Sequence, residues 1–187
     1  EPASDFALMQ YVDLVSHQDL AMDRKYFEAA IAKSPNFAKA YVLLGLELAN
    51  RNEWEQTLEF CQRAIQINDN YVTAHLNAGY ANIQLQRWEQ AKGSFEKLLS
   101  LDPENPFVHS TIAQVYYMLN DYQTAINYMN MAIKNQPEQA NLYFNLGRMY
   151  QKNNQAKEAI AVFEKGLKIS PYDQRARLML EELKKMK

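Results

Sequence analysis

The sequence predicts an all-α solenoid of antiparallel helix pairs, ended by an amphipathic C-terminal helix. Three observations carry this. Small residues recur at a fixed step of 34, at Gly45, Gly79, Ala113 and Gly147. The same step relates Thr57, Ala91, Ala125 and Ala159, and again Cys61, Phe95, Met129 and Phe163. Pro103, Pro137 and Pro171 keep it too, with Pro35 two steps before Pro103 and Asp69 filling the gap. A period of this size marks stacked units, each of which buries its apolar face only against its neighbours.

Composition agrees. Of 187 residues, 48% are hydrophobic and 22% charged, so a packed structure is expected rather than disorder. Gly and Pro number only five and six, which permits long helices. Net charge is −2, with Lys and Arg scattered along the chain. Nucleic-acid binding needs a basic patch or stripe, and none is present. No apolar run is long enough for a membrane span. The single Cys61 excludes an internal disulfide and leaves the compartment open. The chain begins Glu1-Pro2-Ala3-Ser4 without a methionine. A processed or trimmed start is therefore expected, and so is a regulatory or targeting role within a longer protein as one alternative.

Taken in order, residues 1–3 read as a tail and Ser4-Asp5 as a helix cap, because short oxygen-bearing side chains accept from free helix-start amides. Helical spacing follows over Phe6–Ser16 and over Asp19–Lys33. Pro35 closes this pair, since proline offers no amide to a continuing helix. Clean repeats then run over 38–71, 72–105, 106–139 and 140–173, each helix–turn–helix–turn. In the first, the helices are expected over Ala38–Asn50 and Trp54–Asn68. Asn52, Gln86, Asn120 and Asn154 share the slot between the helices, where Asn tolerates the left-handed conformation that ends a helix. Asn105-Pro106 is a cap residue followed by proline at the first helical position. The tail 174–187 mixes Ala176, Leu178, Met179, Leu180 and Leu183 with acids and lysines, as a capping helix does.

Glycine inside a helix costs about 1 kcal/mol relative to alanine. Gly45, Gly79 and Gly147 therefore imply a close approach of two helices, and Ala113 shows that the next smallest residue suffices. Ala91, Ala125 and Ala159 are small on the partner helix for the same reason. Trp54, Trp88 and Tyr122 share one slot at the start of the second helix.

Tyr143, Leu146, Gly147, Tyr150, Ala159, Phe163, Gly166 and Pro171 follow one another at the spacing of the tetratricopeptide repeat (TPR), and the chain resembles that family. The resemblance covers 38–173 in four registered copies. Residues 4–37 look like a degenerate fifth copy, matching at Leu14, Phe27, Ala30 and Pro35 and departing at Tyr11 and Asp23. The whole of 1–187 is then one TPR domain, with 174–187 as its capping helix. The resemblance implies a right-handed superhelix of antiparallel helix pairs whose first helices line a concave groove.

Little in the sequence carries chemistry. His75 and His109 share a slot where the family usually has Trp, and both are expected to fill packing space. A zinc site would need three or four ligands, and no Cys or third His accompanies them. His17 is expected to be solvated at a turn. Cys61 occupies a core slot, whereas a reactive thiol wants exposure and a cationic neighbour. No nucleophile elbow, zinc-protease motif, phosphate loop or dinucleotide fingerprint occurs. Carboxylate pairs such as Glu181-Glu182 fall on solvated faces. No enzyme and no cofactor are expected.

Carrying the family's concave slots onto this sequence gives a lining. The first copy contributes Val42, Leu43 and Leu46; the second Leu76, Asn77 and Tyr80. The third contributes Phe107, Thr111 and Tyr117; the fourth Phe144, Asn145 and Arg148. The degenerate copy adds Leu8, Met9 and Val12. The expected groove is apolar toward the N-terminal end and polar, slightly basic, toward the other. Apolar residues at solvent-facing slots point to a docking site. Asn77 and Asn145 share a slot that some TPR proteins use to hold peptide backbone, since an Asn amide both donates and accepts. The family's two-carboxylate clamp for chaperone C-termini is absent, because its slots hold Val42, Leu46, Asn77, Phe107 and Thr111, or one copy later Leu76, Tyr80, Thr111, Asn141 and Asn145.

The expected function is a non-enzymatic scaffold that grips a partner protein's extended peptide or helix. Val42, Leu46, Leu76, Tyr80, Tyr117 and Phe144 would supply burial, and Asn77, Asn145 and Arg148 register. The competing expectation is self-association, in which the N-terminal helix or a second copy covers the same face. Leu76 and Phe144 are expected to face the groove and not the repeat core.

Overall fold

The structure, a computed structural model, describes residues 20–185. The features expected before residue 20 (the Ser4-Asp5 cap, the helix over 6–16, His17 and the groove residues Leu8, Met9 and Val12) lie outside the described residues, as do Tyr11, Leu14 and the side chain of Asp23. Ten helices and no strand occur among the described residues. The chain divides into two compact units, meeting in sequence at Leu101 and Asp102.

The first unit holds α1 (Leu20–Lys33), α2 (Ala38–Asn50), α3 (Trp54–Ile67), α4 (Val72–Gln84) and α5 (Trp88–Leu101). The second holds α6 (Pro106–Met118), α7 (Tyr122–Asn135), α8 (Ala140–Lys152), α9 (Ala156–Ile169) and α10 (Gln174–Lys185). Within each unit every helix packs on the next. α3 stops one residue earlier than the periodicity predicts, because Asn68 adopts extended backbone, φ −142 and ψ 100. At the start of α6 the Asn105 side chain accepts from the amides of Phe107 and Val108, both at 3.2 Å, and Pro106 follows the cap.

The turn inside each pair is one device used four times. Asn52, Gln86, Asn120 and Asn154 have φ of 62, 56, 62 and 60. In the first turn the Glu53 amide donates to the Leu48 carbonyl and the Asn52 amide to Ala49, each at 3.0 Å. The same two bonds recur from Arg87 and Gln86, from Asp121 and Asn120, and from Gln155 and Asn154. This is the paired-bond C-terminal motif that satisfies carbonyls left free by the helix end. Gln86 is the one member of the slot with a branchless long side chain and no Asn-like local bonding. A left-handed backbone costs most L residues roughly 1–2 kcal/mol. Gln86→Gly is therefore expected to stabilise the chain by about 1 kcal/mol, read as a higher urea midpoint at unchanged slope.

The glycine slots do mark close approaches, and the partner is a specific side chain. A Cβ at Gly79 would lie 2.8 Å from Phe95 Cζ, and one at Gly147 would lie 2.6 Å from Phe163 Cε2. At Gly45 the neighbour is the smaller Cys61 Sγ, at 3.1 Å. Where the slot holds Ala113, the residue at the facing slot is the flexible Met129. Phe95, Met129 and Phe163 are fully buried. Size is thus traded between paired slots so that each layer of the core fills.

Glu47 puts a charge at a core position. Ala81, Val115 and Met149 hold a slot that is apolar and buried, but its first member is Glu47, also buried. Arg51 Nη2 lies 2.5 Å from Glu47 Oε1, and Arg24 Nη1 of α1 lies 3.7 Å from Oε2. Neither carboxylate oxygen accepts an aligned hydrogen bond from the described residues. A buried charge persists only when paired, so the two arginines, one from the preceding helix, hold Glu47 in the core.

Candidate partner-binding faces

In the first unit the expected lining comes from α2 and α4. Val42 and Leu43 do not line an open groove; they are 3% and 2% exposed. Val42 belongs to a cluster with Tyr41, Ala64 and Ala74, and Leu43 to one with Phe27, Ala30 and Leu44. The packing of α1 and α4 against α2 consumes these side chains, which corrects the expectation of an apolar N-terminal lining. Leu46, Leu76 and Asn77 are half-buried, and Tyr80 is 40% exposed. Tyr80 and Phe95 pack as a T-shaped pair, centroids 5.6 Å apart, which fixes the Tyr80 side chain while leaving it open to solvent. Asn77 Nδ2 has no hydrogen-bond partner among the described residues.

In the second unit the lining comes from α6 and α8. Phe107 is 68% exposed, an apolar ring presented at the second residue of α6. The Thr111 hydroxyl donates back to the Phe107 carbonyl at 2.9 Å, so its donor is already used. Tyr117 lies beside Tyr122, centroids 5.6 Å apart, and the Arg148 guanidinium sits over its ring at 5.8 Å. This cation–π contact ties α8 to α6 and orients Arg148.

Phe144 needs a further correction. It is only half-buried, yet its ring stacks on Phe163 at 6.3 Å. A Cβ at Gly166 would lie 2.4 Å from Phe144 Cε1. Phe144 thus packs on the repeat core as well as facing the groove. The corresponding residues one period earlier are Ser110 and Ala132, and before those Leu76 and Leu98. The absence of a side chain at Gly166 is what lets a Phe lie down at this position.

Phe144, Asn145 and Arg148 are brought together in a pocket of about 170 Å³, whose wall also includes Asn141, Phe163 and the start of α10. Asp173, Arg175, Ala176 and Met179 complete that wall. Reading the concave slots only as far as the fourth copy misses Arg175 and Met179. The signal was present, because one more 34-residue step from Asn141 and Asn145 lands on them.

The histidines are packing groups of different quality. His75 Nε2 lies 2.8 Å from the Asp69 carbonyl oxygen, which accepts, so Nε2 carries the proton. Tyr143, two periods on, makes the same bond with its hydroxyl to Pro137, at 2.9 Å. His109 is buried against Tyr128, and neither ring nitrogen has a hydrogen-bond partner among the described residues. No group of three or more His, Cys, Asp or Glu placed to hold a metal occurs among the described residues. Cys61 is fully buried, and burial pushes its thiol up to about 12. The thiolate is the nucleophile, so iodoacetamide at pH 8 is expected to leave the folded chain unmodified over hours. The same reagent in 6 M guanidinium should label Cys61 within minutes, which mass spectrometry reads directly.

No described helix is long and apolar enough to cross a membrane. Two family models described as tetratricopeptide repeat match residues 72–105 and 110–174. No curated protein matches the sequence as a relative. Among solved structures, a crystal structure of MamA protein is 17% identical, with 90% of this chain and 95% of that one covered and a TM-score of 0.80. MamA 41-end from Desulfovibrio magneticus RS-1 is 15% identical over 91% and 97%, also at 0.80. Pseudomonas aeruginosa PilF is 23% identical over 78% and 67%, at 0.66. At these identities the likeness is one of fold. Repeat period, turn motif, slot pairing and family models agree: the chain belongs to the tetratricopeptide repeat family of protein-interaction scaffolds.

Proposed function

We propose that this protein is a non-enzymatic scaffold that grips a peptide or helix of a partner protein on the first-helix faces of its repeats. The supporting observation is the exposure of apolar rings where a monomer would hide them. Phe107 and Tyr80 stand at 68% and 40%, each on a face that also carries amide groups, Asn145 and Asn77 respectively. The Tyr80 ring, held against Phe95, loses little entropy on binding, and exposed aromatic anchors suit recognition of extended chain or of a helix. Val42 plays no part, being consumed by the core.

A photo-crosslinking amino acid at Phe107 tests this. It should capture partner protein that the same group at Glu59, on a second helix, does not. Crosslinks from Glu59 alone would overturn the proposal. Self-association is the second reading, favoured by Tyr172 and Leu178, which are 86% and 61% exposed at the C-terminal end. Light scattering that reports a monomer at all concentrations would dismiss it.

A further inference from the structure

We infer that the pocket between α8 and α10 receives a carboxylate of the partner peptide, set beside one of its apolar side chains. This rests on the scaffold function above and names the chemistry of one part of the face. Two arginines line the pocket, Arg148 from α8 and Arg175 from the first turn of α10. Neither forms an ion pair among the described residues, and the contact of Arg148 is the uncharged face of Tyr117. Asn141 and Asn145 line the same wall and bring amide donors. Phe144 and Met179 supply an apolar side to it.

The one acid there is Asp173, whose Oδ1 accepts from the Ala176 amide at 2.7 Å and so caps α10. Two cations against one engaged anion leave about one unit of positive charge. That balance suits a monoanionic carboxylate; a phosphate dianion would be set against Asp173 at close quarters. The volume of about 170 Å³ equals about five or six waters at ~30 Å³ each. It takes the end of one side chain or a chain terminus. A helix, about 10–12 Å across with its side chains, stays outside.

A display library of random dodecapeptides selected on the wild-type chain tests the assignment. Enriched peptides should carry Asp, Glu or a free C-terminal carboxylate beside a Leu, Ile, Met or Phe. A synthetic enriched peptide should bind Arg175→Gln and Arg148→Gln about tenfold more weakly, the scale of a lost hydrogen bond to charge, and bind Arg177→Gln, outside the pocket, as it binds wild type. Far-UV circular dichroism should be unchanged in all three. Changing the peptide's acid to its amide should cause the same loss.

Enriched peptides without acids would overturn the carboxylate assignment. So would acidic peptides that bind Arg175→Gln as tightly as wild type, or a phosphoserine version that binds more tightly than the carboxylate. If such peptides still lose affinity with Phe107→Glu, the scaffold function stands without this pocket chemistry. No enrichment at all would overturn both.

Discussion

Gly147→Ala is expected to lower the unfolding free energy by about 2 kcal/mol, within the usual range for overpacking a core, and Phe163→Met in the same chain to restore more than half of it. The added Cβ would lie 2.6 to 2.9 Å from three atoms of the Phe163 ring. That ring is fully buried and stacked against Phe144. Alanine gains about 1 kcal/mol in helix propensity, so the clash must exceed that gain for the sign to hold. Methionine is unbranched and flexible, and Ala113 with Met129 is the natural form of the repaired pair. Gly93 is the control, since a Cβ there meets nothing within 4 Å. Gly93→Ala should stabilise by about 1 kcal/mol. Urea titrations of the single and double variants give the coupling directly. Additive effects at Gly147 and Phe163 would mean that the pairing of slots does not fill the core.

The largest effect on binding is expected from Phe107→Glu combined with Arg148→Glu. Losing two anchors of a face should weaken the partner at least about 100-fold, the scale of hot-spot residues. The fold should survive. Phe107 is mostly in water, and removing the Arg148–Tyr117 contact costs about 0.5–1 kcal/mol. Phe144→Glu should weaken binding too, but at a cost of about 3 kcal/mol in stability, because it strips a ring from Gly166 and Phe163. Fluorescence anisotropy with an enriched peptide and thermal melts of the same samples separate the two behaviours. A stable Phe144→Glu would contradict the packing role assigned to that ring.

Much of the fold is legible in the period. A step of 34 fixes which residues share a slot, so α2 is expected over Ala38–Asn50 and found there. The left-handed slot is read from Asn52, Asn120 and Asn154, and it holds even at Gln86, because the motif is set by helix-end bonds rather than by the side chain. The period does not say how one slot is used locally. Val42 and Leu43 stand at groove slots but are taken by α1 and α4, which pack where the concave rule expects solvent. The period is silent on Glu47, whose burial depends on Arg24 one helix earlier and Arg51 one turn later. Phe144 reads as a groove residue, and its second role follows from Gly166 on a different helix. Arg175 and Met179 were within reach of the same arithmetic, one step past the last clean repeat.

The most direct test of the central claim is a three-arm affinity capture from the source cell, quantified by mass spectrometry. The arms are the wild-type chain, Phe107→Glu with Arg148→Glu on the first-helix faces, and Met131→Glu on the exposed side of α7, a second helix. Partners retained by wild type and by Met131→Glu but lost from the double variant are the predicted result. Partners lost only with Met131→Glu, or retained equally by all three, would contradict the assignment and place binding away from the first helices.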